Sequence, residues 1–148
     1  MNEFICYLKS DIYKLMNSCF FLLHIIIPTI GVIPMILFAI FSGSSDVNKL
    51  AAFTQIIAAV FPVIISIICT IVIEQEIDAG GCQNILTLPC RKSVILSKFT
   101  LLVFSGLFSC LLCTMLYGWG FSYIKNFDIP FLFYIVIPVS IWASNVYI

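Results

Sequence analysis

An all-α integral membrane protein is the fold class this sequence predicts: an amphipathic N-terminal helix followed by four transmembrane helices. Three observations predict it. Of 148 residues, 62% are hydrophobic and only 9% charged, where soluble domains run at about 45–50% and about 25%. The mean hydropathy is +1.17, and a folded soluble chain this short exposes too much surface to hide so many apolar side chains. Finally, uncharged apolar stretches recur at lengths that suit a bilayer, and 14 phenylalanines with long Ile/Leu/Val runs exclude disorder. A net charge of zero leaves no basic footprint for nucleic acid.

Residues 1–19 come first. Phe4, Leu8, Ile12, Leu15 and Cys19 recur at helical spacing, with Glu3, Ser10, Lys14 and Asn17 on the other side. This pattern predicts an interfacial elbow helix lying on the membrane surface and leading into the first span. A plain anchor or an extension of that span is the simpler alternative.

Three uncharged stretches then satisfy the ~20 residues that a transmembrane helix needs. They are Phe20–Phe41, Leu50–Ile73 and Phe99–Phe121, and a fourth, Pro130–Ile148, ends with the chain. Helix is expected because unpaired backbone groups cannot face lipid, and no alternating strand pattern supports a barrel. Pro28, Gly31 and Pro34 predict a bent first span, and Pro62 a kink in the second. Asp128 and Pro130 read as cap and first turn of the fourth. The fourth span has no flanking charge, so the chain is expected to be a truncated N-terminal portion of something longer.

Orientation follows from the basic residues. Lys9, Lys14, Arg91, Lys92 and Lys98 fall on one side, and only Lys49 and Lys125 on the other. The bias places the N-terminus and residues 74–98 in the cytoplasm. Tyr117, Trp119 and Tyr123 then form an aromatic anchor at the outer interface.

The segment between the second and third spans, residues 74–98, carries most of the information. Glu74, Glu76 and Asp78 cluster where the second span ends, and Gly80-Gly81 permits a sharp turn. Cys82–Leu88 has the pattern of a short helix with Ile85, Leu86 and Leu88 on its apolar side, terminated by Pro89. Arg91 and Lys92 sit at headgroup depth. Such a helix suits the docking of a cytoplasmic partner; a solvated loop whose charges only set topology is the alternative.

An acid, a glycine, an apolar run, Leu-x-Pro, a basic residue and a lysine resemble the intracellular loop of ABC-2 type permeases. The matching positions are Glu76, Gly80, Ile85, Leu86, Leu88, Pro89, Arg91 and Lys98. The elbow, the first span and the loop spacing resemble that family too, so the likeness covers essentially the whole chain. The short, Ile/Phe-rich type is most similar to the bacteriocin- and lantibiotic-immunity permeases. The resemblance implies the first part of a six-helix permease bundle in a bacterial cell membrane. It also implies a cytoplasmic ATPase subunit that binds ATP and magnesium, a second permease chain, and an amphipathic antimicrobial peptide as cargo. Glu76, Gly80, Ile85, Leu86, Pro89, Arg91 and Lys98 are the ATPase-coupling residues it points to.

Other residues point less far. His24, the sole histidine, sits about one turn inside the first span. It reads as a neutral imidazole bonded to a neighbouring helix, with a proton step as the sharper alternative. Cys110-x-x-Cys113 has redox spacing but falls mid-span, where a thiolate is disfavoured, so packing is expected. Cys82 and Cys90 are expected to be reduced on the cytoplasmic side. No phosphate loop follows Gly80-Gly81 and no hydrolytic motif occurs, so the chain is not expected to be an enzyme or to bind a cofactor or metal. The few polar groups within the spans, Thr54, Gln55, Ser66, Thr70, Ser105 and Ser109, fit a lipid-like or peptide cargo better than a hydrated ion path. A small non-transporting accessory subunit and a four-helix thiol–quinone oxidoreductase are the rival readings.

Overall fold

The structure is a computed structural model that describes residues 2–16, 20–78 and 91–146. Among these residues, five helices follow one another: α1 (Asn2–Met16), α2 (Phe20–Phe41), α3 (Asp46–Asp78), α4 (Arg91–Lys125) and α5 (Phe131–Val146). The all-α class is therefore as the sequence predicts. Three of the helices, α2, α3 and α4, are long and apolar enough to cross a membrane, and α5 is a shorter apolar helix. At ~1.5 Å per residue its 16 residues cover about 24 Å, less than the ~30 Å hydrocarbon core.

The span limits differ from expectation in one direction. Helices α3 and α4 run past the apolar stretches 50–73 and 99–121 to 33 and 35 residues, about 50 Å each. Glu74, Glu76 and Asp78 therefore end α3, and Arg91, Lys92 and Lys98 begin α4, rather than lying in a loop. Nothing obliges a helix to stop where lipid stops, because its backbone bonds are internal and Glu, Gln, Lys and Arg are good helix formers. Residues 79–90 lie outside the described residues.

Helix α4 is the centre of the bundle and packs against α1, α2 and α5, while α3 closes against α2 and α5. Its inward face is a run of residues four apart: Ser97, Leu101, Ser105, Ser109, Cys113, Tyr117 and Phe121, all buried. Small side chains on such a face let neighbouring backbones approach closely, which is how helices associate where lipid removes the hydrophobic drive. Gly118 shows the closeness: a Cβ there would lie 2.8 Å from both Cζ and Oη of Tyr134 on α5. Apolar side chains such as Ile30, Ile33, Phe104 and Phe108 point outward, a surface that suits lipid and not water.

Two local expectations change at the end of the bundle that holds Lys49 and Lys125. Tyr117 is fully buried rather than an interfacial anchor, stacked on Phe53 at 3.6 Å between ring centroids with its hydroxyl donating to the Lys49 carbonyl at 3.5 Å. Of the three expected anchors, Trp119 and Tyr123 are exposed. Stacking against a second aromatic ring outweighs the interfacial preference of a phenol whose hydroxyl still finds an acceptor. Helix α5 begins at Phe131, with the Phe133 amide donating to the Pro130 carbonyl at 2.9 Å, so Pro130 precedes its first turn and Asp128 is exposed. Asn126, at φ 49°, turns the chain out of α4 in the left-handed conformation that commonly ends a helix.

Candidate coupling site and apolar chamber

The other end of the bundle gathers the charges. Helix α1 buries Leu15 in a cluster with Phe20, Ile68, Val72 and Leu101, but the packed face is not the one expected. Asp11 is 6% exposed, whereas Ile12 is 36% exposed. The stripe that faces the bundle runs through Leu8, Asp11 and Leu15, with a carboxylate at its centre. Leu15 and Asp11 set this face because Asp11 finds partners on α4 that Ile12 could not use.

Ser97 donates its hydroxyl to Asp11 Oδ2 at 2.5 Å, and Lys98 Nζ donates to Asp11 Oδ1 at 3.2 Å. The same ammonium donates to Glu76 Oε1 at 2.6 Å. One lysine thus joins α1, α3 and α4. Burial on its own would lower the Lys98 pKa, but the Glu76 hydrogen bond and the Asp11 charge more than reverse that and raise it above the ordinary lysine value. Lys98 stays charged. The three groups line a cavity of about 350 Å³ together with Lys14, Gln75, Leu15, Val72 and Leu102.

Of the coupling residues read from the sequence, Glu76 and Lys98 are in direct contact. Arg91 is the exposed first residue of α4. Gly80, Ile85, Leu86, Leu88 and Pro89, the expected Cys82–Leu88 helix, and Cys82 and Cys90 all lie outside the described residues. Asp11 and Ser97 were missed. The signal was present for Asp11, an acid at the i+7 position of the apolar stripe that begins at Phe4.

Deeper in the bundle, α2, α3, α4 and α5 line a partly open chamber of about 480 Å³, within the range of small-molecule sites. Its wall is almost wholly apolar, and Pro28, Gly31 and Pro34 of α2 line it. Among the described residues, polar groups reach it from His24, Ser109, Trp142 and Asn145, with the thiols of Cys69 and Cys113. Leu102 borders this chamber and the charged cavity alike.

The polar groups are mostly spoken for. His24 Nδ1 bonds to the carbonyl of Phe20 in its own helix at 2.9 Å, not to a neighbouring helix as expected. The interhelical bond runs instead from the Ser109 hydroxyl to the His24 carbonyl at 2.9 Å. Pro28 lacks the N–H that would bond that carbonyl, and Ser109 replaces it. Thr54, Thr70 and Ser105 donate to carbonyls of their own helices. Cys110 and Cys113 are free thiols buried in the α4 face, and Cys110 Sγ contacts the Pro138 carbonyl at 3.6 Å. That is a packing role. Among the described residues no group of His, Cys, Asp and Glu is placed to hold a metal ion.

A family model described as ABC-2 family transporter protein matches residues 7–146. Comparisons with curated proteins and with solved structures give no match. The matched range runs from within α1 to the end of α5, and the chain belongs to the ABC-2 family of transporter proteins.

Proposed function

We propose that this chain exports an amphipathic antimicrobial peptide of the lantibiotic or bacteriocin type, and so protects the cell that makes or meets the peptide. Its family makes it a multi-pass membrane permease of an ABC transporter, driven by an ATPase partner. In the proposed cycle the ATPase binds ATP and magnesium on the cytoplasmic side and presses on residues 79–90. A second permease chain, identical or a sister, completes the path. The N-terminus and the end of the bundle holding Asp11, Glu76 and Lys98 face the cytoplasm, in keeping with the five basic residues of α1 and α4 at that end.

The observation that carries this reading is the pairing of a charged convergence point with an apolar chamber that shares Leu102 with it. An amphipathic cargo needs both environments in succession. Beside that segment, Glu76 at the end of α3 and Arg91 at the start of α4 supply charged contacts, and Gly80, Ile85, Leu86 and Pro89 are the residues of the segment assigned to coupling.

The test is a pull-down of the tagged chain in mild detergent, with Gly80→Pro and Glu76→Lys as controls. Recovery of an ATPase bearing a phosphate-loop motif, with its loss in either variant, supports the coupling role. Cells expressing the chain with that ATPase should then tolerate higher concentrations of at least one peptide in a lantibiotic panel. An unchanged tolerance across the panel removes the cargo assignment, and failure to recover an ATPase removes the coupling assignment.

A further inference from the structure

Asp11 is a residue that membrane anchoring does not require. A helix serving only to rest at the interface would keep its carboxylates in headgroup water, yet this one is 6% exposed and turned onto α4. Burying a carboxylate is strongly unfavourable unless it is paired. Its partners are consecutive residues, Ser97 and Lys98, and the Lys98 ammonium continues to Glu76 on the last turns of α3. The side chains of Lys98, Asp11 and Glu76 are 18%, 8% and 12% exposed, so water does little to screen them.

We infer that Lys98 is a positioning residue for energy transfer: it locks the elbow helix α1 to the two helix ends that flank residues 79–90, so a displacement of that segment carries α1 with it. The inference rests on the reading of residues 79–90 as the coupling segment. Helices α3 and α4 lead into and out of that segment, and side chains join α1 to them here. Two carboxylates share one ammonium, so sliding any one helix leaves a charge unpaired in a poorly hydrated place. Leu15, Val72 and Leu101, from the same three helices, form a buried apolar floor under the charges. The lock therefore resists bending as well as separation, and the three helix ends move as one body.

The experiment uses the full permease assembled with its ATPase in lipid vesicles and carrying pairs of spin labels at exposed positions. Tyr13 on α1 with Ile77 on α3 reports the lock, and Ile30 on α2 with Ile77 reports the stroke. With ATP, magnesium and vanadate, the Ile30–Ile77 separation should shift while Tyr13–Ile77 remains a single narrow population. Asp11→Asn and Lys98→Met should each split the Tyr13–Ile77 distribution in two when nucleotide is added, and Lys98→Arg should keep it single. A wild-type Tyr13–Ile77 separation that shifts with nucleotide overturns the lock, as do variants indistinguishable from wild type. An Ile30–Ile77 separation indifferent to nucleotide overturns the coupling reading instead. In that event the resting distribution still decides the lock, which requires Tyr13–Ile77 to broaden in Asp11→Asn without nucleotide.

Discussion

Asp11 and Lys98 are 87 residues apart in the chain and 3.2 Å apart in space. Their ion pair turns an amphipathic segment into a fixed part of the bundle, and it should be visible in stability. Removing one member of a buried pair leaves the other uncompensated, at a cost on the order of 3 kcal/mol. Lys98→Met is expected to lower the Tm of the purified chain in detergent more than Asp11→Asn does, because it strands two carboxylates. The double variant should lose less than the sum of the two single losses. Strict additivity in that cycle would mean the two residues do not interact.

The pH response of this pair has a definite sign. Burial opposes the charge on Lys98, but Glu76 and Asp11 raise its pKa above the ordinary lysine value. A group raised on folding contributes stability that is complete below its unfolded pKa and is lost as pH rises through the folded one. The gap in Tm between wild type and Lys98→Met should therefore stay level from neutral pH to about 10, then close at higher pH. A gap that closes near neutrality would assign the contribution to another group.

The brace between α4 and α2 is a second measurable coupling. Ser109 donates to the His24 carbonyl, which Pro28 leaves without its intrahelical donor. Ser109→Ala should cost about 1 kcal/mol, the usual scale of an interhelical hydrogen bond in a membrane. In a Pro28→Ala background the helix supplies its own N–H, and the same change should cost clearly less. Unfolding in detergent as a double-mutant cycle measures the difference. Equal costs in the two backgrounds would show that Ser109 acts independently of the proline.

Gly118 should be intolerant of any side chain. A Cβ at this position meets the Tyr134 ring, with Cζ and Oη at 2.8 Å. Gly118→Ala is expected to destabilise the chain by about 1–3 kcal/mol through overpacking. Adding Tyr134→Ala should restore much of that loss by vacating the space. Ser122, half-buried four residues further along α4, is the control site, where an alanine should change Tm little. If Gly118→Ala behaves like Ser122→Ala, α4 and α5 are not in close contact at this level.

Parts of this architecture were legible residue by residue. Phe20–Phe41 could be read directly because lipid imposes a simple rule: an uncharged run of about twenty residues must form its own backbone hydrogen bonds. The limits of α3 and α4 could not, since beyond the apolar core the continuation from Ile73 to Asp78 is a matter of helix propensity alone. Glu76 and Lys98 were singled out through a family pattern, and the structure joins them. Asp11 escaped notice because a carboxylate on an amphipathic helix normally belongs to the polar face, and only knowledge of α4 shows otherwise. Tyr117 was misplaced for a related reason, as its partner Phe53 lies on a different helix.

Composition and the spacing of charges thus determined by themselves that the chain is helical, lies in a membrane and gathers its basic residues at one end. These are properties of single segments against a solvent, and each segment carries its own information about them. Tertiary structure alone decided which face of α1 is buried, that one ammonium serves Asp11 and Glu76 together, and that Ser109 serves a carbonyl freed by Pro28. Each of those is a relation between helices distant in the chain. Its free energy exists only once packing has removed the water that would otherwise satisfy both partners separately.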